Sequence, residues 1–149
     1  MDSSGHMTSP NFRESLDLTK ETGLRIRFLQ LNFTCLTDKR TLAWFGNPHD
    51  FDNLGTVEAN FILFRQSLIT RLIMKAWLTC ALDASCIAPP GSHRSKKQPC
   101  LKTCLCHRFD QAALGAILTY FYGHPENRVN HLPAYAIRNS EDWFHIKRG

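Results

Sequence analysis

Between residues 84 and 106 the chain carries Pro89, Pro90, Gly91, a run of basic side chains and four of its six cysteines. A loop this long in a small chain is usually functional or held by cross-links. A helical pattern stands on either side of it. Ser67 can cap a helix in which Ile69, Leu72, Ile73, Ala76, Trp77 and Cys80 recur at three- and four-residue spacing, which predicts an amphipathic helix over about 67–83. Asp110 is placed to cap a second helix, about 110–122, which Gly123 ends. Any fold of this chain has to seat both helices and fasten the segment between them.

The rest of the pattern alternates between helix and strand. Ser9-Pro10 opens a short helix over about 10–22 that stops at Gly23, and Leu24 to Leu31 alternates as a half-buried strand. Thr37-Asp38 can cap a short helix ending at Gly46, Asn47 to Gly55 is rich in turn formers, and Val57 to Phe64 reads as a strand buried on both faces. This order predicts an α/β fold with mixed strands. With 149 residues, 43% of them hydrophobic, one core is within reach. The aromatic residues (10 Phe, 3 Trp, 3 Tyr) and a charged fraction of only 21% exclude a disordered chain. No stretch approaches the ~20 apolar residues of a membrane-spanning helix. A net charge of +5 is compatible with an anionic ligand and too small to indicate a nucleic-acid partner.

Cys35, Cys80, Cys86, Cys100, Cys104 and Cys106 leave three readings open. Zinc could be held by Cys100, Cys104, Cys106 and His107, although structural zinc sites more often pair two knuckles with two residues between the cysteines. Disulfides could staple the 84–106 loop onto the helix that carries Cys80, provided the compartment is oxidising. Six free thiols in a reducing compartment is the third reading. Met1 to His6 has neither the basic nor the apolar stretch of a secretion signal, whereas Asn32-Phe33-Thr34 is a glycosylation acceptor triplet, so the localisation signals conflict.

Asp50-Phe51-Asp52 has the D-x-D form that can hold a metal and a diphosphate. Its neighbours Pro48, His49 and Asn53 favour plain turn-forming aspartates. His93, Arg94, Lys96, Lys97 and Lys102 form a basic cluster that reads as solvated loop surface, with phosphate or lipid-headgroup contact as the alternative. His107-Arg108-Phe109-Asp110-Gln111 has two accounts of equal weight. Asp110 is a simple helix cap, or the segment gathers polar groups at a helix N-terminus that can grip a hydroxylated or anionic ligand.

Four runs together carry a resemblance: Glu58-Ala59-Asn60-Phe61-Ile62-Leu63-Phe64, Lys75-Ala76-Trp77-Leu78-Thr79-Cys80-Ala81-Leu82, Cys86-Ile87-Ala88-Pro89, and Cys106-His107-Arg108-Phe109-Asp110-Gln111-Ala112-Ala113-Leu114. This combination resembles a group of animal secretory-pathway proteins of the nucleotide-diphospho-sugar transferase (GT-A-like) type, over about residues 57–122. Leu36-Thr37-Asp38 to Trp44-Phe45-Gly46 is similar to that group's short aromatic helix, and Met1-Asp2-Ser3-Ser4 to its W-x-D-S-S.

The resemblance implies that residues 1–149 are a single partial domain, the C-terminal, acceptor-side part of a GT-A-like mixed-sheet fold. It assigns catalysis to Asp110, Gln111 and His107, substrate contact to Arg108, Glu58 and Asn60, and a divalent metal (Mn or Mg) with the donor diphosphate to Asp2 and Ser4. The Cys80/Cys86 and Cys100/Cys106 positions match the group's disulfide pattern, and Cys104 is an addition to it. Golgi or secretory lumen, a nucleotide-sugar donor, a glycan or protein acceptor, and membrane attachment only through an N-terminal anchor follow from the same likeness. Met1 would correspond to an internal position, and the isolated chain is expected to bind a nucleotide-sugar weakly or not at all. A non-catalytic, disulfide-stapled interaction module of the secretory pathway is the competing expectation.

Overall fold

In the computed structural model, residues 5–6, 12–92, 104, 106–123, 136–137 and 145–146 are described. Helix α1 (Phe12–Thr22) turns through Gly23 into strand β2 (Leu24–Asn32), after a two-residue β1 (Gly5–His6). Gly23 has φ +79° and its N–H bonds back to the Thr19 carbonyl, so a residue without Cβ closes the helix as the sequence indicates. A 3-10 turn (Thr34–Leu36), helix α2 (Lys39–Phe45) and a second 3-10 turn (Pro48–Phe51) lead to β3 (Gly55–Phe64). Helices α3 (Leu68–Ala81), α4 (Ala84–Ile87) and α5 (Phe109–Tyr122) follow, then the two-residue strands β4 (Ala136–Ile137) and β5 (His145–Ile146). The architecture is mixed α/β. The sheet order is β3-β2-β4, antiparallel between β2 and β3 and parallel between β2 and β4; β1 pairs with β5 separately.

Side-chain period decides which faces meet. In β2, Leu24, Ile26 and Phe28 are buried, while Arg25, Arg27 and Leu29 between them are half-buried. The buried set joins Val57 of β3, Ile73 of α3, and Leu114, Ile117 and Leu118 of α5 in one cluster. Every residue of α5 from Gln111 to Leu118 is buried, so α5 is the central helix and its apolar character on all sides is explained.

Four expectations need correction. The far end of β3 is not buried on both faces. Ile62 and Phe64 lean on the core, whereas Phe61 and Leu63 alternate to the opposite face, and all four are only partly buried. In α3 the buried stripe is Thr70, Ile73 and Cys80, backed by Ile69, Ala76 and Trp77, and Leu72 points outward with 44% exposure. The stretch after α3 is not loop from residue 84, because Asp83 caps the one-turn α4 by accepting from Ser85 N–H at 2.8 Å. Finally, Asp110 does not cap α5. That helix begins two residues earlier than a cap at Asp110 would place it, the capping position is Arg108, and no side chain caps it. By contrast, Ser67 caps α3 as expected. Its Oγ accepts from Thr70 N–H at 3.2 Å and its own N–H donates to Thr70 Oγ1 at 3.0 Å.

One glycine marks a close approach. An added Cβ at Gly115 would lie 2.5 Å from Cε2 of Phe33, whose ring is 1% exposed and packs near Phe51 with centroids 6.0 Å apart. Gly115→Ala gains ~1 kcal/mol of helix propensity, but the overpacking it forces costs ~1–3 kcal/mol. A net loss of up to about 2 kcal/mol in urea denaturation is expected, and a stabilised variant would refute the close packing.

Candidate functional site

The segment from Cys106 to Gln111 sits where α2, α4, β3 and α5 meet. His107 is 1% exposed. Its Nδ1 accepts from the Asp38 N–H at 3.1 Å, and its Nε2 donates to the Ile87 carbonyl at 2.9 Å. An acceptor at Nδ1 and a carbonyl facing Nε2 assign the neutral Nε2–H tautomer. Burial pushes the imidazole below its ordinary pKa, opposed by the Ile87 carbonyl and the Asp38 carboxylate and aided by the Arg40 charge. Nearby, Thr41 Oγ1 donates to the Cys86 carbonyl at 2.8 Å, and Arg108 N–H donates to the Leu36 carbonyl at 3.0 Å. His107 is thus a brace joining the cap of α2, the end of α4 and the approach to α5.

Gln111 is buried as well, and its Nε2 donates to Thr56 Oγ1 of β3 at 3.4 Å. Arg108 and Asp110 are exposed. The Asp110 carboxylate lies in the first turn of α5, where a negative charge complements the unpaired N–H groups, and its carbonyl accepts from Trp77 Nε1 at 3.1 Å. Glu58 is half-buried and pairs with Arg27 across the strands at 2.9 Å, directly in register. The structure therefore brings His107, Arg108, Asp110 and Gln111 into one short stretch, with two side chains turned inward and two outward. Glu58 stands in a cross-strand ion pair. The Asn60 side chain, Asp2, Ser4, Cys100 and the basic cluster from His93 to Lys102 lie outside the described residues.

The cysteines resolve most clearly. Cys80 is bonded to Cys86 across six positions, both of them among the expected disulfide candidates, and Cys35 is bonded to Cys104 across 69. Cys106 is also disulfide-bonded, and the remaining candidate, Cys100, lies outside the described residues. These bonds remove the zinc reading, since a disulfide sulfur is no thiolate and both His107 ring nitrogens already have partners. They remove the free-thiol reading too, and place the chain in an oxidising, secreted or lumenal environment. Among the described residues no group of three or more His, Cys, Asp or Glu side chains converges to hold a metal, and no helix is long and apolar enough to cross a membrane. Asp50 and Asp52 belong to the 3-10 turn region that Asn47 opens by accepting from His49 N–H, with His49 Nδ1 3.1 Å from Asp52 Oδ2, so the turn reading stands.

Asn32 is exposed, and its Oδ1 accepts from both the Thr34 N–H (3.0 Å) and hydroxyl (2.7 Å). Expressed in a secretory host, the chain is expected to carry a glycan at Asn32. Peptide N-glycosidase should then shift its gel mobility, and Asn32→Gln should abolish the shift; unshifted wild-type protein would count against it.

Two features lacked a sequence signal. The Cys35–Cys104 partnership joins residues with no shared motif, and only the surplus cysteine hinted at it. Beside His107 there is also a cavity of about 440 Å³, lined by Thr37, Lys39, Arg40 and Ser92 among others. Thr37 is 3% exposed, and its Oγ1 finds no hydrogen-bond partner among the described residues, which costs the fold ~1–3 kcal/mol. Compared with protein-family models, curated proteins and solved structures, the chain matches none of them.

Proposed function

We propose that this chain is a glycosyltransferase-like protein of the Golgi or a neighbouring secretory compartment, handling a nucleotide-sugar donor and a glycan or protein acceptor. One observation carries this reading: the four runs on which the resemblance rests, spread over residues 58–114, pack as one unit. The run 58–64 lies on β3, 75–82 on α3 and its end, 86–89 on α4 and its exit, and 106–114 opens α5. Trp77 bonds to Asp110 and His107 to Ile87, Cys80, Cys86 and Ala113 share a cluster, and Ala59, Ile62 and Phe64 pack with Ala76 and Trp77 against the core that includes Leu114. On this platform His107 and Gln111 are positioning residues. Exposed Asp110 can accept hydrogen bonds from sugar hydroxyls, and exposed Arg108 can meet phosphate oxygens as a planar fork.

The test is a calorimetric and saturation-transfer titration of the whole chain with UDP- and GDP-sugars, with and without Mn²⁺. Saturable binding near 1 mM, about 4 kcal/mol, and about tenfold weaker in Asp110→Asn, is expected. No binding of any donor, or binding indifferent to Asp110, would overturn the reading. The inward commitment of His107 and Gln111 favours a second reading, a non-catalytic disulfide-stapled interaction module. Glycan or protein binding without donor binding would select it.

A further inference from the structure

Helix α3 carries apolar side chains on two sides. Ile69, Ile73, Ala76 and Cys80 turn inward to the core, yet Leu68, Leu72, Leu78 and the C-capping Leu82 are between 44% and 80% exposed. Scattered surface leucines are ordinary, whereas four along one helix mark a contact surface. Their order follows a rule. Leu68, Arg71, Lys75, Leu78 and Leu82 are spaced three, four, three and four residues apart, the repeat by which one helix packs along another. Leu72 broadens the first end of this seam. Arg71 and Lys75 are exposed, take part in none of the ion pairs among the described residues, and stand between the leucines of the two ends. No acidic residue lies within α3, and Asp83 just beyond it is held by the Ser85 N–H and hydroxyl. From Leu68 to Leu82 the seam therefore runs apolar, cationic, apolar over about 21 Å of helix at ~1.5 Å per residue.

That order selects the occupant. Lys75 is the midpoint between Leu68 and Leu82, so a second copy docked seam to seam would set Lys75 against Lys75 whether the helices ran parallel or antiparallel, and like charges facing across a seam repel. A lipid surface suits an apolar face with its cations on the opposite side or at the margins. Here Arg71 and Lys75 lie in the middle of the stripe, and seating the leucines of both ends among acyl chains would carry the charges in with them. A helix with carboxylates between two apolar ends matches the whole seam. We propose that the outer face of α3 docks such an amphipathic helix of a partner protein, its carboxylates on Arg71 and Lys75 and its apolar residues on the leucines at either end. None of these residues has a role in donor binding, so this docking and the transferase reading are tested independently.

The whole oxidised chain would be titrated, followed by amide chemical shifts and fluorescence anisotropy, with synthetic helical peptides of about three heptads. The peptides share one leucine pattern, and their central seam positions carry Glu, Gln or Lys. The Glu peptide should bind at least about tenfold more tightly than the Gln peptide, with shifts along the outer positions of α3, and the Lys peptide should not bind. Arg71→Glu combined with Lys75→Glu should reverse the preference, taking up the Lys peptide and refusing the Glu peptide, an outcome that lost folding cannot imitate. Leu78→Gln should weaken binding of the Glu peptide about tenfold at a level melting temperature, because that side chain is exposed. Binding indifferent to peptide charge, or no reversal in the charge-swapped variant, would overturn the proposal. So would partition of the chain onto phosphatidylcholine–phosphatidylserine vesicles that Leu78→Gln abolishes, or a dimer in sedimentation that Leu78→Gln dissolves.

Discussion

His107→Ala is expected to destabilise the protein by about 3–5 kcal/mol, a large share of the ~5–15 kcal/mol that holds a domain of this kind together. The substitution strands two buried backbone groups, the Asp38 N–H and the Ile87 carbonyl, and opens a void beside Phe109, whose ring stands edge-on to the imidazole at 5.0 Å. Urea denaturation should show a lower midpoint at unchanged slope. His107→Gln, which keeps a donor and an acceptor, should recover part of the loss. The pH dependence follows from the direction of the shift. The folded imidazole titrates below its ordinary 6.5, so protonation favours the unfolded chain. Its contribution is complete above about pH 6.5 and declines as pH falls through the folded pKa, with a slope of up to ~1.4 kcal/mol per pH unit. His107→Gln should flatten that part of the stability curve. A loss under ~1 kcal/mol with a severe loss of donor turnover would instead make His107 a catalytic residue.

The second large effect concerns the disulfides, which should differ by loop length. Removing Cys35–Cys104 frees a loop spanning 69 positions and should cost about 4 kcal/mol on the chain-entropy account. The Cys80–Cys86 loop of six positions should cost about 2 kcal/mol from entropy, plus a smaller term for the void left by two fully buried sulfurs against Ala113. Paired alanine variants, Cys35→Ala with Cys104→Ala and Cys80→Ala with Cys86→Ala, unfolded in urea under non-reducing conditions, compare them. Equal losses, or the reverse order, would mean the long bridge joins parts already held by packing.

Local rules carried the fold a long way. Asp38, Ser67 and Gly23 sit at helix ends where their own chemistry puts them, and the alternation of Leu24, Ile26 and Phe28 identified a buried strand face. Asp110 misled because its residue type suits a cap, while the helix start was set by Arg108 N–H bonding to Leu36, a contact that periodicity does not encode. Leu72 fitted a three-and-four spacing, yet the bearing of α3 against α5 turned it outward. In the candidate site, the H-R-F-D-Q stretch was visible, but the split between inward His107 and Gln111 and outward Arg108 and Asp110 depends on α2, α4 and β3. The Thr37 cavity had no signature at all, since an unpartnered hydroxyl exists only after the chain around it has closed.

The burial of Phe33 against Gly115 sets an order of events during maturation. Phe33 is the middle residue of the acceptor triplet, with Asn32 at the surface and Cys35 bridged to Cys104 two positions beyond the phenyl ring. An enzyme that must surround all three residues of the triplet can do so only while that ring is still outside the protein. A glycan expected at Asn32 would therefore have to be attached before Phe33 docks against Gly115, and the glycosylated fraction would then report how fast that docking occurs. Any change that speeds the docking of Phe33 would lower that fraction.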